Sequence, residues 1–303
     1  MLSCRLGRLA LRSPLLTASG TFGHDGAALA FLDPADLGAL VLKTVTPAPR
    51  PGNPPPRLHE TPAGLLNSIG LENRGLAAFL SENRPALAAA PAPVVANAGG
   101  ESVAEYREVV AAFAAEPWTA AIELNLSCPN VQGGRLPFSS SPEAVAEVVA
   151  ACRPLCRQPL WAKLSPNAGR IGPFARAAEE AGADAVTVAN TILGLAVDWR
   201  RRRPVLGAGY GGLSGPAVRP IALRLVHEAA AAVSIPVIGC GGIAEAEDVL
   251  EFLVAGASAV QVGTACFREP GRISRLAADL RRLLAAEGLR VSDLVGTLEW
   301  PDR

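Results

Sequence analysis

Pro236-Val237-Ile238-Gly239-Cys240-Gly241 and Ala259-Val260-Gln261-Val262-Gly263-Thr264 flank a segment, 245–255, built from Ala, Glu and large apolar residues. Each flanking run is short, apolar and stopped by glycine, the pattern of a strand buried on both faces of a parallel sheet. The segment between them is helical in length. Gly256, in Ala-Gly-Ala-Ser, stands where a helix ends. The same alternation fills the rest of the chain. Further apolar runs cover 15–19, 39–45, 94–98, 121–126, 160–165 and 185–190, and helical segments cover 102–116, 142–156, 173–181 and 216–233. Pro142 and Pro216 fall in first helical turns, where a missing N–H costs nothing, and Gly182 repeats the ending at Gly256. Eight strands alternating with helices, with no linker between halves, predict an α/β protein: a (β/α)8 TIM barrel over 1–303 as one domain. Residues 2–12 predict a hairpin turning at Gly7 that plugs the barrel floor.

Two connections are too long to be simple turns. Residues 46–70 carry Pro47, Pro49, Pro51, Pro54, Pro55, Pro56 and Pro62, which exclude a continuous helix. Residues 191–215 carry four consecutive arginines, Arg200 to Arg203, and a glycine cluster. Long ordered loops in a compact domain are functional lids or interface elements. Both are expected over the C-terminal face.

Composition narrows the function. Half of the 303 residues are hydrophobic and 18% are charged, enough for a large core. Lys plus Arg and Asp plus Glu balance at 28 each, which argues against a protein held to nucleic acid or anionic lipid by net charge. No apolar run reaches the roughly 20 residues that span a bilayer. Arg5, Arg8 and Arg12 interrupt the N-terminal apolar stretch and deny it a secretion signal. Cys4, Cys128, Cys152, Cys156, Cys240 and Cys266 form no CxxC, and His24, His59 and His227 are dispersed. The reading is free thiols in a reducing cytoplasm, with no metal site and no iron–sulfur centre in this chain.

The active site of such a barrel lies at the C-terminal ends of its strands. Polar residues crowd there: Ser19, Lys43-Thr44, Asn97, Glu123 and Asn125, Lys163 and Ser165, and Asn190-Thr191. Burying so many unpaired polar groups costs several kcal/mol each, so a ligand rich in donors and acceptors is expected among them. Strands seven and eight end instead in Gly241-Gly242 and Gly263-Thr264, where backbone N–H groups can approach an anion, and the helix start at Glu245 adds a favourable dipole. A polar ring system with a phosphate tail has the shape of FMN. A lysine beside the ring would stabilise its anionic reduced form.

Glu123-Leu124-Asn125-Leu126-Ser127-Cys128-Pro129-Asn130 resembles the catalytic signature of class 1 dihydroorotate dehydrogenases. Further matches are Lys43-Thr44, Gly52-Asn53-Pro54-Pro55-Pro56-Arg57, the stretch 60–71, Lys163-Leu164-Ser165-Pro166-Asn167, Asn190-Thr191, the stretch 211–216 and Gly263-Thr264. They follow in order over nearly the whole chain. The Pro-rich segment before Asn67 looks most like the class 1B catalytic (FMN) subunits, which pass electrons to NAD. The resemblance implies one FMN per chain, oxidation of dihydroorotate to orotate in UMP synthesis, and Cys128 as general base. It implies that the substrate is held by Lys43, Asn67, Ser68, Ile69, Gly70, Leu71, Asn125, Asn130, Asn190 and Thr191. It places FMN on Ser19, Lys43, Thr44, Asn97, Asn125, Lys163, Ala189, Gly215, Gly241, Gly242, Gly263 and Thr264. It implies a homodimer inside a heterotetramer, with FAD and [2Fe-2S] confined to a partner subunit. The segment Val131-Gln132-Gly133-Gly134 is expected to hinge a lid. The alternatives are a fumarate-dependent single-subunit enzyme and a related dihydropyrimidine dehydrogenase barrel.

Two motifs point elsewhere and are set aside. Gly207-Ala208-Gly209-Tyr210-Gly211-Gly212 has the form GxGxxG, yet no helix opens at it as a dinucleotide site requires. Trp199 with the arginine run reads as a solvated or partner-facing edge rather than a nucleic-acid surface.

Overall fold

The computed structural model describes residues 1–127, 138 and 140–301. The strands are β1 (Cys4–Leu6), β2 (Leu9–Leu11), β3 (Leu15–Thr17), β4 (Leu40–Val41), β5 (Leu58–Thr61), β6 (Gly64–Asn67), β7 (Val94–Ala98), β8 (Thr119–Asn125), β9 (Leu160–Lys163), β10 (Ala185–Val188), β11 (Ile192–Gly194), β12 (Val197–Asp198), β13 (Arg203–Pro204), β14 (Gly211–Ser214), β15 (Val237–Cys240) and β16 (Ala257–Val262). The helices are α1 (Leu76–Ala88), α2 (Val103–Ala114), α3 (Pro142–Cys152), α4 (Ile171–Glu180), α5 (Arg219–Ala230), α6 (Ala246–Val254), α7 (Ala265–Arg268), α8 (Arg272–Glu287) and α9 (Val291–Leu294).

All eight expected strands form one parallel sheet in the order β3-β16-β15-β10-β9-β8-β7-β4. A parallel bridge from Leu16 to Ala39 joins its two ends and closes the barrel. At this seam Thr17 stands in for missing ladder bonds. Its hydroxyl accepts from Val41 N–H at 2.7 Å and donates to Val41 C=O at 3.1 Å.

Side chains fill the barrel. Leu16, Val41, Val95, Trp161, Ile238 and their neighbours form an inner cluster, and Leu6 and Leu11 of the β1–β2 hairpin join it. The hairpin therefore plugs the floor, turning through Gly7 at φ 57°. Burying each leucine stabilises the closure by about 1.5–3 kcal/mol. The helices pack outside on a second apolar layer that includes Phe113, Val149, Leu225 and Phe252.

Two helices end differently from the sequence pattern. The expected helix over 142–156 stops at Cys152 and tightens into a 3₁₀ turn, Arg153–Leu155, because Pro154 has no N–H to continue the ladder. Pro216 opens a 3₁₀ turn, Pro216–Val218, before α5 begins.

The two long connections prove to be a second sheet. The strands β11, β14, β6 and β5 pair antiparallel in that order. Gly64 makes the central pairing possible, since a Cβ there would collide with the Ser214 carbonyl. The β12–β13 pair forms a separate, largely exposed two-stranded sheet, with Arg200 stacked 4.4 Å from the Trp199 ring centre. The Gly207–Gly212 segment leads into strand β14 and opens no helix. No helix among the described residues is long and apolar enough to cross a membrane.

Candidate active site

A cavity of about 1410 Å³ lies between the strand ends of the barrel and the β5–β6–β14 sheet. Its wall includes Ser19, Lys43, Thr44, Asn67, Ile69, Gly70, Leu71, Asn125, Lys163, Ala189, Asn190, Thr191, Gly215, Gly241, Gly242, Gly263 and Thr264. Seventeen positions chosen from sequence are thus brought together. Leu71 reaches the wall from left-handed backbone at φ 56°, an unusual setting for a leucine.

Register explains the polar concentration. Asn97 pairs with Glu123, and Asn125 pairs with Lys163, so neighbouring parallel strands stack their polar side chains in two successive levels. Lys163 is only 2% exposed. Its ammonium donates to Gln261 Oε1 at 2.9 Å and to Ser19 Oγ at 3.3 Å. Gln261 Nε2 donates to Glu123 Oε2 at 2.6 Å, and Thr187 Oγ1 donates to the same oxygen at 2.7 Å. Asn97 Nδ2 donates to Glu123 Oε1 at 2.7 Å, and Asn97 Oδ1 accepts from Thr44 Oγ1 at 2.5 Å. Thr44 in turn accepts from Asn125 Nδ2 at 2.8 Å. Ser127 Oγ donates to Asn125 Oδ1 at 3.1 Å and accepts from Asn190 Nδ2 at 2.8 Å. Asn190 Oδ1 accepts from the Thr191 N–H at 2.8 Å.

Lys43 is the freer cation. It is half-buried, and no ion pair holds its ammonium among the described residues. Burial pulls its pKa below the ordinary lysine value. Glu72 opposes that shift, while Arg57 reinforces it. Behind it, His24 packs edge-on against Phe79 and is held toward the neutral form by burial and by the charge of Lys43. Cys240 lies 4.0 Å from the Lys163 ammonium, its thiol pushed up by burial against the pull of that lysine.

The glycine end forms a backbone cradle. Gly241 and Gly242 have φ of 136° and 79°, and their N–H groups donate to no protein carbonyl among the described residues. A Cβ on Gly242 would meet the Arg219 backbone at 2.7 Å, and one on Gly263 would meet Ala18 Cβ at 3.0 Å. The helix start behaves differently from expectation. Asp248 accepts from the Ala244 and Glu245 N–H groups, both at 2.8 Å, and pairs with Arg219. A carboxylate of the chain itself already occupies the N-terminus of α6, so that helix offers an incoming phosphate little. The two lysines, the donor-rich amides and the free glycine N–H groups fit an anionic ring system with a phosphate tail, as in FMN.

Some expected residues fall elsewhere. Ser68 is buried away from the cavity, accepting from Asn53 Nδ2 at 2.8 Å. Asn97 is buried beneath the wall, with its side-chain oxygen and nitrogen bonded to Thr44 and Glu123. Cys128, Asn130 and the segment Val131-Gln132-Gly133-Gly134 lie outside the described residues. Gln261 was not anticipated. Its signal was present, as the one amide inside the apolar run of β16.

A parallel barrel whose mouth gathers a buried lysine, an amide network and a glycine cradle has the lining to hold an anionic, phosphate-bearing ligand. A family model described as Dihydroorotate dehydrogenase matches residues 1–284, and the chain belongs to that family. It is 50% identical over 293 residues to a Solibacter usitatus protein named "Putative dihydroorotate dehydrogenase A (fumarate)", covering 96% of each chain. It is 48% identical over 299 residues to the "Dihydroorotate dehydrogenase B (NAD(+)), catalytic subunit" of Trichlorobacter lovleyi, covering 98% of each. The protein of that name from Geobacillus kaustophilus is 47% identical over 296 residues, covering 97% of this chain and 95% of the other. Among solved structures, an Eimeria tenella DHODH in complex with ferulenol shares the fold. The TM-score is 0.82 at 23% identity, over 98% of this chain and 88% of that one.

Proposed function

We propose that the chain oxidises dihydroorotate to orotate in pyrimidine biosynthesis, working as an FMN-dependent catalytic subunit of the NAD-linked class. The observation that carries this reading is the convergence of Lys43, Lys163 and the Asn67, Asn125 and Asn190 amides on one cavity in a chain of this family. FMN supplies the hydride acceptor. Ser19, Thr44, Ala189 and Gly215 would line its berth, and the N–H groups of Gly241, Gly242, Gly263 and Thr264 would receive its phosphate. Lys163, held by Gln261 and Ser19, would set positive charge beside the flavin ring. Lys43 attracts the substrate carboxylate. Asn67, Asn125 and Asn190 offer paired donors and acceptors that suit the imide edges of a pyrimidine. Cys128, placed by its sequence motif, takes the ring proton, and a thiol with pKa near 8.5 is a usable base close to neutral pH.

Electrons then leave through a partner. The relatives from Trichlorobacter lovleyi and Geobacillus kaustophilus are named catalytic subunits of an NAD(+) enzyme. We assign this chain a comparable place: a homodimer within a heterotetramer whose second subunit carries FAD and [2Fe-2S], in the cytoplasm. The second reading, direct use of fumarate, is favoured by the name of the Solibacter usitatus relative. Steady-state turnover of the purified, FMN-loaded chain with a dye, fumarate and NAD in turn decides between them. Dye turnover without NAD or fumarate turnover is expected. Rapid NAD reduction by this chain alone overturns the partner assignment, and efficient fumarate turnover moves the chain to the single-subunit reading.

A further inference from the structure

We infer that Glu123, a fully buried carboxylate outside the cavity wall, is a positioning residue that dictates which edge each amide of the mouth turns toward its ligand. The inference rests on the function proposed above. Two chains of hydrogen bonds end on this carboxylate. One runs from the Thr191 N–H through Asn190, Ser127, Asn125, Thr44 and Asn97 to Glu123 Oε1. The other runs from the Lys163 ammonium through Gln261 to Glu123 Oε2. Every donor along both chains points toward Glu123.

The ends fix that direction. A backbone N–H and an ammonium can only donate, and a carboxylate can only accept. The amides and hydroxyls between them are reversible by themselves, because an amide turned over exchanges its oxygen and nitrogen at little intrinsic cost. With both ends fixed, only one orientation leaves no donor facing a donor. Asn125 therefore keeps Nδ2 against Thr44 and Oδ1 against Ser127, and Asn190 keeps Nδ2 against Ser127. The donor and acceptor order seen by a pyrimidine is set three residues away from it, by a group that it never touches.

An amide at position 123 breaks the symmetry in a specific way. Its NH2 cannot face Gln261, because Gln261 would then have to turn its own NH2 toward the Lys163 ammonium. The NH2 must face Asn97, which turns over and reverses Thr44, Asn125, Ser127 and Asn190 in succession. That reversal ends in a clash with the Thr191 N–H. The pyrimidine-facing amides are thus disordered or inverted, while the Lys163–Gln261 arm stays as it was. Moving the acid to the next link repairs the chain. In Glu123→Gln/Asn97→Asp, the carboxylate now at position 97 accepts from Thr44 and from the amide at position 123 alike, and the original direction returns.

The test measures orotate dissociation constants from the flavin spectrum, with FMN retention on the same samples. Glu123→Gln is expected to keep FMN and to bind orotate about tenfold or more weakly, the scale of a buried polar group left mismatched. The double variant Glu123→Gln/Asn97→Asp is expected to recover to within about threefold of the parent, an effect no merely structural loss would give. Unchanged orotate affinity in Glu123→Gln overturns the inference, and so does a double variant no better than the single one. If Glu123→Gln does not fold, Asn97→Leu cuts the same arm at the next link; it is expected to weaken orotate about tenfold or more, and an Asn97→Leu protein with parental affinity overturns the inference. A parent chain that binds neither FMN nor orotate overturns the proposed function itself, and Glu123 then has no ligand to orient.

Discussion

Lys43, Asn125, Lys163 and Asn190 were legible at the level of single residues because a polar side chain closing a buried strand is conspicuous in sequence. Two predictions belong at this scale. Cys128→Ala is expected to abolish turnover with FMN still bound, and Cys128→Ser to be slow at neutral pH and to regain activity at alkaline pH, since a hydroxyl is the weaker acid and the poorer base. A variant as active as the parent removes Cys128 from the mechanism. The pKa of Lys43, lowered by burial, means that its charge disappears as pH rises through a value below 10.5, so orotate affinity should fall at lower pH than an ordinary lysine allows. An orotate titration series from about pH 7 to about pH 11 checks this, and affinity that holds until 10.5 contradicts it. Ser68 and Asn97 were harder to place. Alternation along a strand says which face a side chain takes but not its depth, and depth separates the cavity wall from the layer beneath.

The elements divide in the same way. The barrel strands were readable because each is a continuous apolar run, and the prolines of 46–70 correctly excluded a helix. The sheet they belong to was hidden. Its strands are half-exposed, at most four residues long, and pair across about 150 positions of sequence, as Leu65 does with Ser214. No local period encodes such a pairing. That sheet is the roof of the cavity, and at Gly64 a Cβ would run into the Ser214 backbone of its neighbouring strand. Gly64→Val is expected to force β6 from β14 and weaken orotate binding by about tenfold or more, roughly 1.4 kcal/mol, with FMN retained on the barrel. Loss of FMN together with orotate would show that roof and barrel are not separable. The helices α1 and α8 were not singled out by their sequence, and α1 carries Pro85 in its interior.

At the scale of the molecule, burial of thiols adds a pH sensitivity on the alkaline side. Burial pushes the thiols of Cys4, Cys152 and Cys266 up to about 12 from 9.0. Between those values the unfolded chain sheds protons that the native chain keeps. Native stability is therefore whole below about pH 9 and declines as pH climbs toward about 12. Denaturant midpoints measured near pH 8 and near pH 10.5 should show the decline, and replacing the three thiols with alanine or valine should flatten it. A midpoint independent of pH in the parent would refute the assignment.

The closure of the barrel also sets a timetable for the polypeptide as it is made. β3 lies between β4, whose partnering residues follow within 25 positions, and β16, which begins 240 residues later at Ala257. The first residues are tied still further along, since Val291 N–H bonds the Met1 carbonyl. A growing chain therefore carries its first hairpin, with Leu6 and Leu11, past the ribosome before the strand that completes the floor exists. Contacts this distant in sequence close slowly, and at about 5–20 residues per second their apolar surface stays uncovered for on the order of ten seconds or more. The hairpin that seals the finished barrel is thus, during synthesis, an apolar segment that waits uncovered for its last partner.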